Sequence, residues 1–211
     1  MPEFWESVYK SNERMWGENP TDNARNVLAF LQKHNIKNLL IPGFGYGRNA
    51  KVFYDEGFDV TGIEISKTAI ERARNYFGSA VTIHHGSVTE MPFDTNQYQS
   101  IYCYSLIHLL NAADRKKLIA DCYAQLKPNG IMVFVALSTN DKRFGLGEEL
   151  DKNTFHSPQG LTLYFYDEAS IQAAFGNYHI IEAKEINEPE ENPNEKHWMI
   201  VCEKKTAHNN T

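Results

Sequence analysis

Between residues 38 and 137 the chain alternates short apolar runs with amphipathic helical stretches, and this alternation constrains the fold more than any other feature. Asn38-Leu39-Leu40-Ile41 is an apolar run ended by glycines, followed by a helix expected over 48–56 that stops at Gly57. A second strand is expected over 58–63. Ser66 then caps a helix that carries Ala69, Ile70, Ala73 and Phe77 on one side and closes at Gly78. Residues 81–84, 100–104 and 131–137 read as further strands. Residues 112–126 read as a helix, with Leu118, Ile119, Cys122 and Leu126 as its apolar stripe. Strands joined by helices at this spacing need right-handed crossovers and a largely parallel sheet. The expected fold is α/β, a doubly wound, Rossmann-like sheet with helices on both faces.

The flanks follow other rules. Pro20-Thr21-Asp22 offers helix-start chemistry, with Ala24, Val27, Leu28 and Leu31 on one helical face. Past Leu137 the rhythm breaks, and 138–166 holds Gly145, Gly147, Pro158 and Gly160 among several aromatics. Asp167 starts a short helix ending near Gly176. Strands follow over 178–186 and 197–203, joined by the acidic loop NEPEENPNE. That loop is too short for a crossover helix, so the last two strands are expected to be antiparallel neighbours, completing a seven-stranded, mostly parallel sheet. The chain reads as a single domain over 1–205. Residues 1–35 form an N-terminal aromatic segment and helix, 138–166 an insertion or lid, and 206–211 a flexible tail.

Composition narrows the partners. A formal charge of −6 with pI near 5.8 argues against nucleic acid, which is bound by clustered Lys and Arg. Arg115-Lys116-Lys117 reads as one exposed helix face. Cys103, Cys122 and Cys202 have no metal-ligand spacing and fit free thiols in a reducing compartment. No apolar run reaches the length of a membrane span, and MPEFWESVYK lacks the basic and apolar regions of a signal peptide. A cytoplasmic protein is expected, with no membrane partner; the sequence leaves its oligomeric state open.

The chemistry concentrates in Ile41-Pro42-Gly43-Phe44-Gly45-Tyr46-Gly47-Arg48-Asn49, between the first strand and its helix. Glycines permit backbone angles closed to other residues and let a ligand approach the main chain. In open α/β sheets this turn lies at the carboxyl edge, where ligands bind. Glu64 ends the second strand, where a carboxylate can accept hydrogen bonds from both ribose hydroxyls of an adenosine cofactor. The dinucleotide fingerprint wants a third glycine where this chain has Arg48, which counts against a nicotinamide-dependent oxidoreductase.

The G-x-G-x-G spacing resembles the first motif of class I S-adenosylmethionine-dependent methyltransferases. Val60-Thr61-Gly62-Ile63-Glu64-Ile65-Ser66 resembles their second motif, and His85-Gly86-Ser87-Val88 sits where their adenine-binding turn belongs. The stretch from Ile101 to Leu109 resembles their fourth-strand motif, and Leu126-Lys127-Pro128-Asn129-Gly130 their entry to the fifth strand. Three further features resemble the small-molecule tellurite-resistance and thiopurine methyltransferases: Phe4-Trp5 with Met15-Trp16-Gly17, the Gly47-Arg48-Asn49 ending, and Phe165-Tyr166-Asp167.

The resemblance implies S-adenosylmethionine as cofactor, S-adenosylhomocysteine as product, no metal, and a small-molecule methyl acceptor, with a thiol or other soft nucleophile needing least help. It implies cofactor contacts at Trp16, Gly43, Phe44, Gly45, Gly47, Arg48, Asn49, Glu64, Ile65, Ser66, Ser87, Val88, Tyr104 and Ser105. Two positions depart from the family. Ile41 stands where an acid helps hold the methionine ammonium, and Ser87 stands where an Asp receives the adenine amino group. Backbone carbonyls near Gly43 and Tyr104 are then expected to do more. Catalytic residues stay open; His156, Tyr166 and Tyr9 are the candidates for a general base, and His108 reads as structural. The non-enzymatic alternative is a module that binds S-adenosylmethionine without methylating anything.

Overall fold

The computed structural model describes residues 2–11 and 16–206. Met15 and the expected tail beyond Thr206 lie outside the described residues. The chain runs α1 (Pro2–Ser11), α2 (Asp22–Lys33), β1 (Asn38–Pro42), α3 (Ala50–Asp55), β2 (Asp59–Glu64), α4 (Lys67–Phe77), β3 (Thr82–His85), β4 (Tyr98–Tyr104), α5 (Ala112–Gln125) and β5 (Leu126–Leu137). It continues through β6 (Glu148–Asp151), β7 (Thr154–His156), β8 (Thr162–Tyr164), α6 (Glu168–Phe175), β9 (Ile180–Asn187) and β10 (Lys196–Glu203).

The main sheet has the order β3-β2-β1-β4-β5-β10-β9. Its strands are parallel except β10, which pairs antiparallel with both β5 and β9, as the short β9–β10 loop requires. Strand alternation divides the core into two layers. Leu39, Ile41, Tyr102, Val133 and Val135 face α2, α3 and α4. Leu40, Ile101, Cys103, Met132 and Phe134 face α5 and α6. The helices begin on side-chain caps that satisfy orphan N–H groups: Thr21 for α2, Ser66 for α4, Asn111 for α5, and an Asp167–Ser170 capping box for α6. Cys103, Cys122 and Cys202 are buried and unpaired, and no described helix is long and apolar enough to cross a membrane.

Two regions carry more structure than the sequence suggests. The N-terminal aromatic segment opens with the ten-residue helix α1. Residues 138–166 hold a three-stranded antiparallel sheet, β6-β7-β8. Its apolar face packs Phe155, Leu163 and Phe165 on Leu137, with Leu109 alongside. Its ends are zipped together where Tyr166 N–H donates to Leu137 O (2.8 Å) and Thr139 N–H to Tyr166 O (2.9 Å). Gly147 bends the chain at φ 97° and also allows a close approach between strands: a Cβ there would lie 2.1 Å from His156 O.

Phe134 is fully buried at the centre of the second layer, with its ring 5.2 Å from that of Phe175. Phe134→Ala is expected to lower stability by about 3–5 kcal/mol through lost burial and the cavity left behind. Denaturant unfolding checks this, and a loss under about 1 kcal/mol would mean that the layer collapses around the gap.

Candidate functional site

The turn after β1 is shaped by positive φ at Gly43 (72°), Gly45 (58°) and Gly47 (81°), which side-chain-bearing residues rarely adopt. Gly43 and Phe44 both donate backbone N–H to Ile63 O at 2.9 Å, fastening the turn to the end of β2. The Phe44 ring goes under the turn. A Cβ at Gly62 would meet it at 2.3 Å, and one at Gly47 would meet Phe77 at 2.3 Å. Phe44, expected as a cofactor contact, is therefore a core side chain that leaves only its main chain at the edge. Ile41 likewise points into this core layer, so β1 offers no carboxylate there.

Glu64 closes the site. It is 5% exposed, and its two oxygens accept Gly45 N–H (2.7 Å) and Ser66 N–H (2.8 Å). Burial raises its carboxyl above the usual range, against the lowering effect of these bonds. Each oxygen takes one N–H and keeps a further lone pair, so the two acceptors fit two adjacent hydroxyls. Ser66 also caps α4 through Ala69 N–H (3.1 Å), and Ile65 beside it is half-buried.

The expected adenine turn sits next to β2. Ser87 Oγ accepts Thr89 N–H (3.3 Å) and pairs with Thr89 Oγ1 (2.8 Å), while Val88 is buried. Gly86 is pressed by Phe93, which a Cβ would meet at 2.4 Å. At the end of β4, Tyr104 is half-buried and Ser105 turns the chain at φ 51°. Burial first, and then the Glu188 charge, push the Tyr104 phenol up to about 12.

The N-terminal region meets the turn from above. Arg48 donates to Trp16 O (2.5 Å) and Tyr46 to Gly17 O (2.6 Å). Trp16 is exposed on its outer side, with ring contacts to Trp5 and Tyr9. Asn49 Oδ1 accepts Thr21 N–H (3.0 Å), coupling the start of α2 to that of α3. Glu6, which sequence reasoning missed, reaches from α1 to the start of α4. It accepts Ser66 Oγ–H (2.7 Å), Thr68 Oγ1–H (2.7 Å) and Thr68 N–H (3.2 Å). These bonds, the Ser66 hydroxyl first, hold its carboxyl down at about 2.

The three candidate bases are scattered. Tyr9 is buried with its hydroxyl over Gly45, a Cβ there meeting it at 3.0 Å; burial and then the Glu64 charge drive its phenol far above the ordinary range. Tyr166 is packed among Phe134 and Phe175, with its hydroxyl buried and unpartnered among the described residues. His156 is exposed at the end of β7. His108 is buried, its Nδ1 accepting Leu137 N–H (3.3 Å), and burial keeps it neutral. A groove of about 450 Å³ opens between α2 and β9, lined in part by Val27, Ile186, Met199 and Glu188, and none of its lining residues belongs to the glycine turn. No group of three or more potential metal ligands occurs among the described residues.

Residues 40–130 match the family model described as a methyltransferase domain. A glycine/sarcosine N-methyltransferase of Parasynechococcus marenigrum (strain WH8102) is 27% identical over 112 residues, covering 50% of this chain and 40% of the relative. The O-methyltransferase resE of Aspergillus sclerotiorum is 27% identical over 143 residues, covering 64% and 50%. The chain thus spans about half the length of the curated relatives it matches. Among solved structures, Burkholderia thailandensis 1,6-didemethyltoxoflavin-N1-methyltransferase, with 1,6-didemethyltoxoflavin and S-adenosylhomocysteine bound, superposes with a TM-score of 0.75 at 15% identity, covering 97% of this chain and 87% of that one. Residues 40–130 thus match a methyltransferase domain, and the seven-stranded sheet has the fold of Rossmann-like methyltransferases.

Proposed function

We propose that the chain binds S-adenosylmethionine across the carboxyl edge of β1, β2 and β4 and passes its methyl group to a small-molecule acceptor. The observation that carries this reading is the buried Glu64 carboxylate, fixed by Gly45 and Ser66 N–H beside a turn of positive-φ glycines. The cofactor supplies a methyl group already activated on a sulfonium, so the chain's own part is to bind, orient and exclude water.

Glu64 receives the ribose hydroxyls, and Ile65, Ser66, Ser87 and Val88 line the adenine side. Gly43, Gly45, Gly47 and Asn49 supply main chain and support. Tyr104 and Ser105 stand where the amino-acid end reaches β4, with Arg48 across from them. Trp16, Trp5 and Tyr9 cover the open side. None of the three candidate bases is a free, titratable group at the end of β4. An acceptor that needs no deprotonation fits best, such as a thiolate or another soft nucleophile. The thiopurine and tellurite type of acceptor agrees with that chemistry, and its support lies in the N-terminal, Gly47-Arg48-Asn49 and Phe165-Tyr166-Asp167 segments. Residues 138–166, leaving β5 at the same edge, form the acceptor wall.

Glu64→Ala is expected to weaken S-adenosylmethionine binding by about 2–4 kcal/mol, from two charge-assisted hydrogen bonds at a desolvated site. Calorimetry giving wild-type affinity for a folded variant would remove Glu64 from the cofactor site. Replacing 145–161 with a short glycine-serine linker deletes β6 and β7 and spares the zipped neck at Leu137 and Tyr166. Cofactor affinity is expected to change less than about tenfold, because the glycine turn is remote in the chain. Methyl transfer should fall at least about a hundredfold through lost acceptor positioning, measured as S-adenosylhomocysteine release in an acceptor screen. Transfer at the wild-type rate would mean that the insertion is no part of the acceptor pocket.

A further inference from the structure

We infer that Glu188, in the β9–β10 loop, is the carboxylate that receives the ammonium group of the cofactor's amino-acid end, opposite Arg48. This rests on the cofactor assignment above and adds a residue that no sequence motif marks.

The argument begins with placement. Glu188 directly follows the last residue of β9 at the carboxyl edge of the sheet, the edge that carries the glycine turn and the end of β4. Its N–H donates to Glu195 O (3.0 Å), and its side chain turns back over the start of α2, where Oε2 accepts Asn23 N–H (3.1 Å). Asn23 Oδ1 in turn accepts the Tyr102 hydroxyl (2.8 Å), and the Tyr102 and Tyr104 rings lie 6.0 Å apart. The carboxylate acts electrostatically on both tyrosines. The register that pairs Leu40 with Ile101 brings Gly43 level with Tyr104, and Glu188 reaches that strand end through Asn23 and Tyr102.

Charge supplies the second part. Glu188 is 4% exposed, and no cation among the described residues lies within ion-pair distance of it. A buried carboxylate without a counter-charge is costly. The groups that act on it most are these. Asp22 at the start of α2 and Glu190 in its own loop repel its charge; Arg48 before α3 and Asn23 N–H favour it, and Tyr102 and Tyr104 face it from β4. Burial dominates and raises the carboxyl to about 7. The missing charge is positive, and an α-ammonium brings it. Arg48, which acts on Tyr104 with the opposite sign to Glu188, offers the complementary charge for the α-carboxylate. Opposite charges acting on one side chain suit a zwitterion. Ile41, buried in the core, leaves that ammonium no carboxylate from β1.

The test is calorimetry on the full chain with two ligands. S-adenosylmethionine carries the amino-acid end; 5′-methylthioadenosine keeps the adenosine and lacks it. Glu188→Gln preserves an oxygen for Asn23 N–H, and a thermal melt checks folding. The variant is expected to bind S-adenosylmethionine about ten- to a hundredfold more weakly near pH 7.5, and 5′-methylthioadenosine within about twofold of wild type. Near pH 6.5 the wild-type carboxyl is mostly protonated in the empty site. S-adenosylmethionine binding should therefore release most of one proton, read from buffers of different ionisation heat. Glu188→Gln should release none, and neither protein should release one on binding 5′-methylthioadenosine. Equal proton release from wild type with both ligands overturns the inference even if the variant misfolds. Wild-type affinity in Glu188→Gln overturns it too, and the same affinity with methyl transfer lost would assign Glu188 to the acceptor. A wild-type protein that binds neither ligand overturns the cofactor assignment itself, and this inference with it.

Discussion

The site hangs on one carboxylate placed between two strand ends. Glu64 ends β2, and by accepting Gly45 N–H and Ser66 N–H it ties the β1 turn to the first turn of α4. Hydrogen bonds to a charged acceptor contribute about 1.5–3 kcal/mol each, enough to offset much of the cost of burying it. Other features follow from that join. Ser66 is held so that its hydroxyl both caps α4 and donates to Glu6, which docks α1. The turn can close over Glu64 because its glycines take positive φ, and because Gly62 and Gly47 leave room for Phe44 and Phe77 beneath it. A side chain at any of these positions would lift the turn off the carboxylate.

The elements bearing on that join were legible in the sequence because their signals are local. Periodicity of 2 and 3.6, ended by glycines and caps, marked β1, β2, β4, α4 and α5 to within a residue or two of the observed bounds. What was not legible depends on contacts distant in sequence. Glu148-Glu149-Leu150-Asp151 has no strand-like alternation and is wholly exposed; it pairs because Gly147 lets β7 come close. Phe155, Leu163 and Phe165 mark a face only once Leu137 and Leu109 stand opposite. The turn motif marks Phe44, but only the fold shows that its ring enters the core through the space that Gly62 leaves on β2, with its main chain at the edge. Glu188 was hidden by its neighbours: in NEPEENPNE an acid reads as solvated, and only the fold turns this one inward onto Asn23.

The other half of the carboxyl edge is assembled from three connections, each anchored by an acid that accepts main-chain N–H groups. Glu6 fastens α1 to Thr68. Asp141 holds the neck of the insertion by accepting Arg143 N–H (2.9 Å), its guanidinium (2.6 and 2.8 Å) and Lys196 N–H (2.8 Å). Glu188 fastens the β9–β10 loop to Asn23. Acceptors on loops, in place of more apolar packing, let the wall of a site vary in sequence while the sheet beneath keeps its core.

These three acids are not equivalent, and their titration separates them by purpose. Glu6 is held down at about 2 and Asp141 is also lowered, since several donors outweigh burial. A lowered carboxyl contributes stability above its unfolded value and loses it as pH falls through the folded one, so both fasten their segments at neutral pH. Glu188 runs the other way: raised to about 7, its charged form works against the fold above that pH. A group kept only to hold a loop would gain from a second donor or from the loss of Asp22 and Glu190 beside it. In this fold the one-sided hydrogen bond and the surrounding acids leave Glu188 with unspent affinity for a positive charge, while Arg48, which also acts on Tyr104, has the opposite preference.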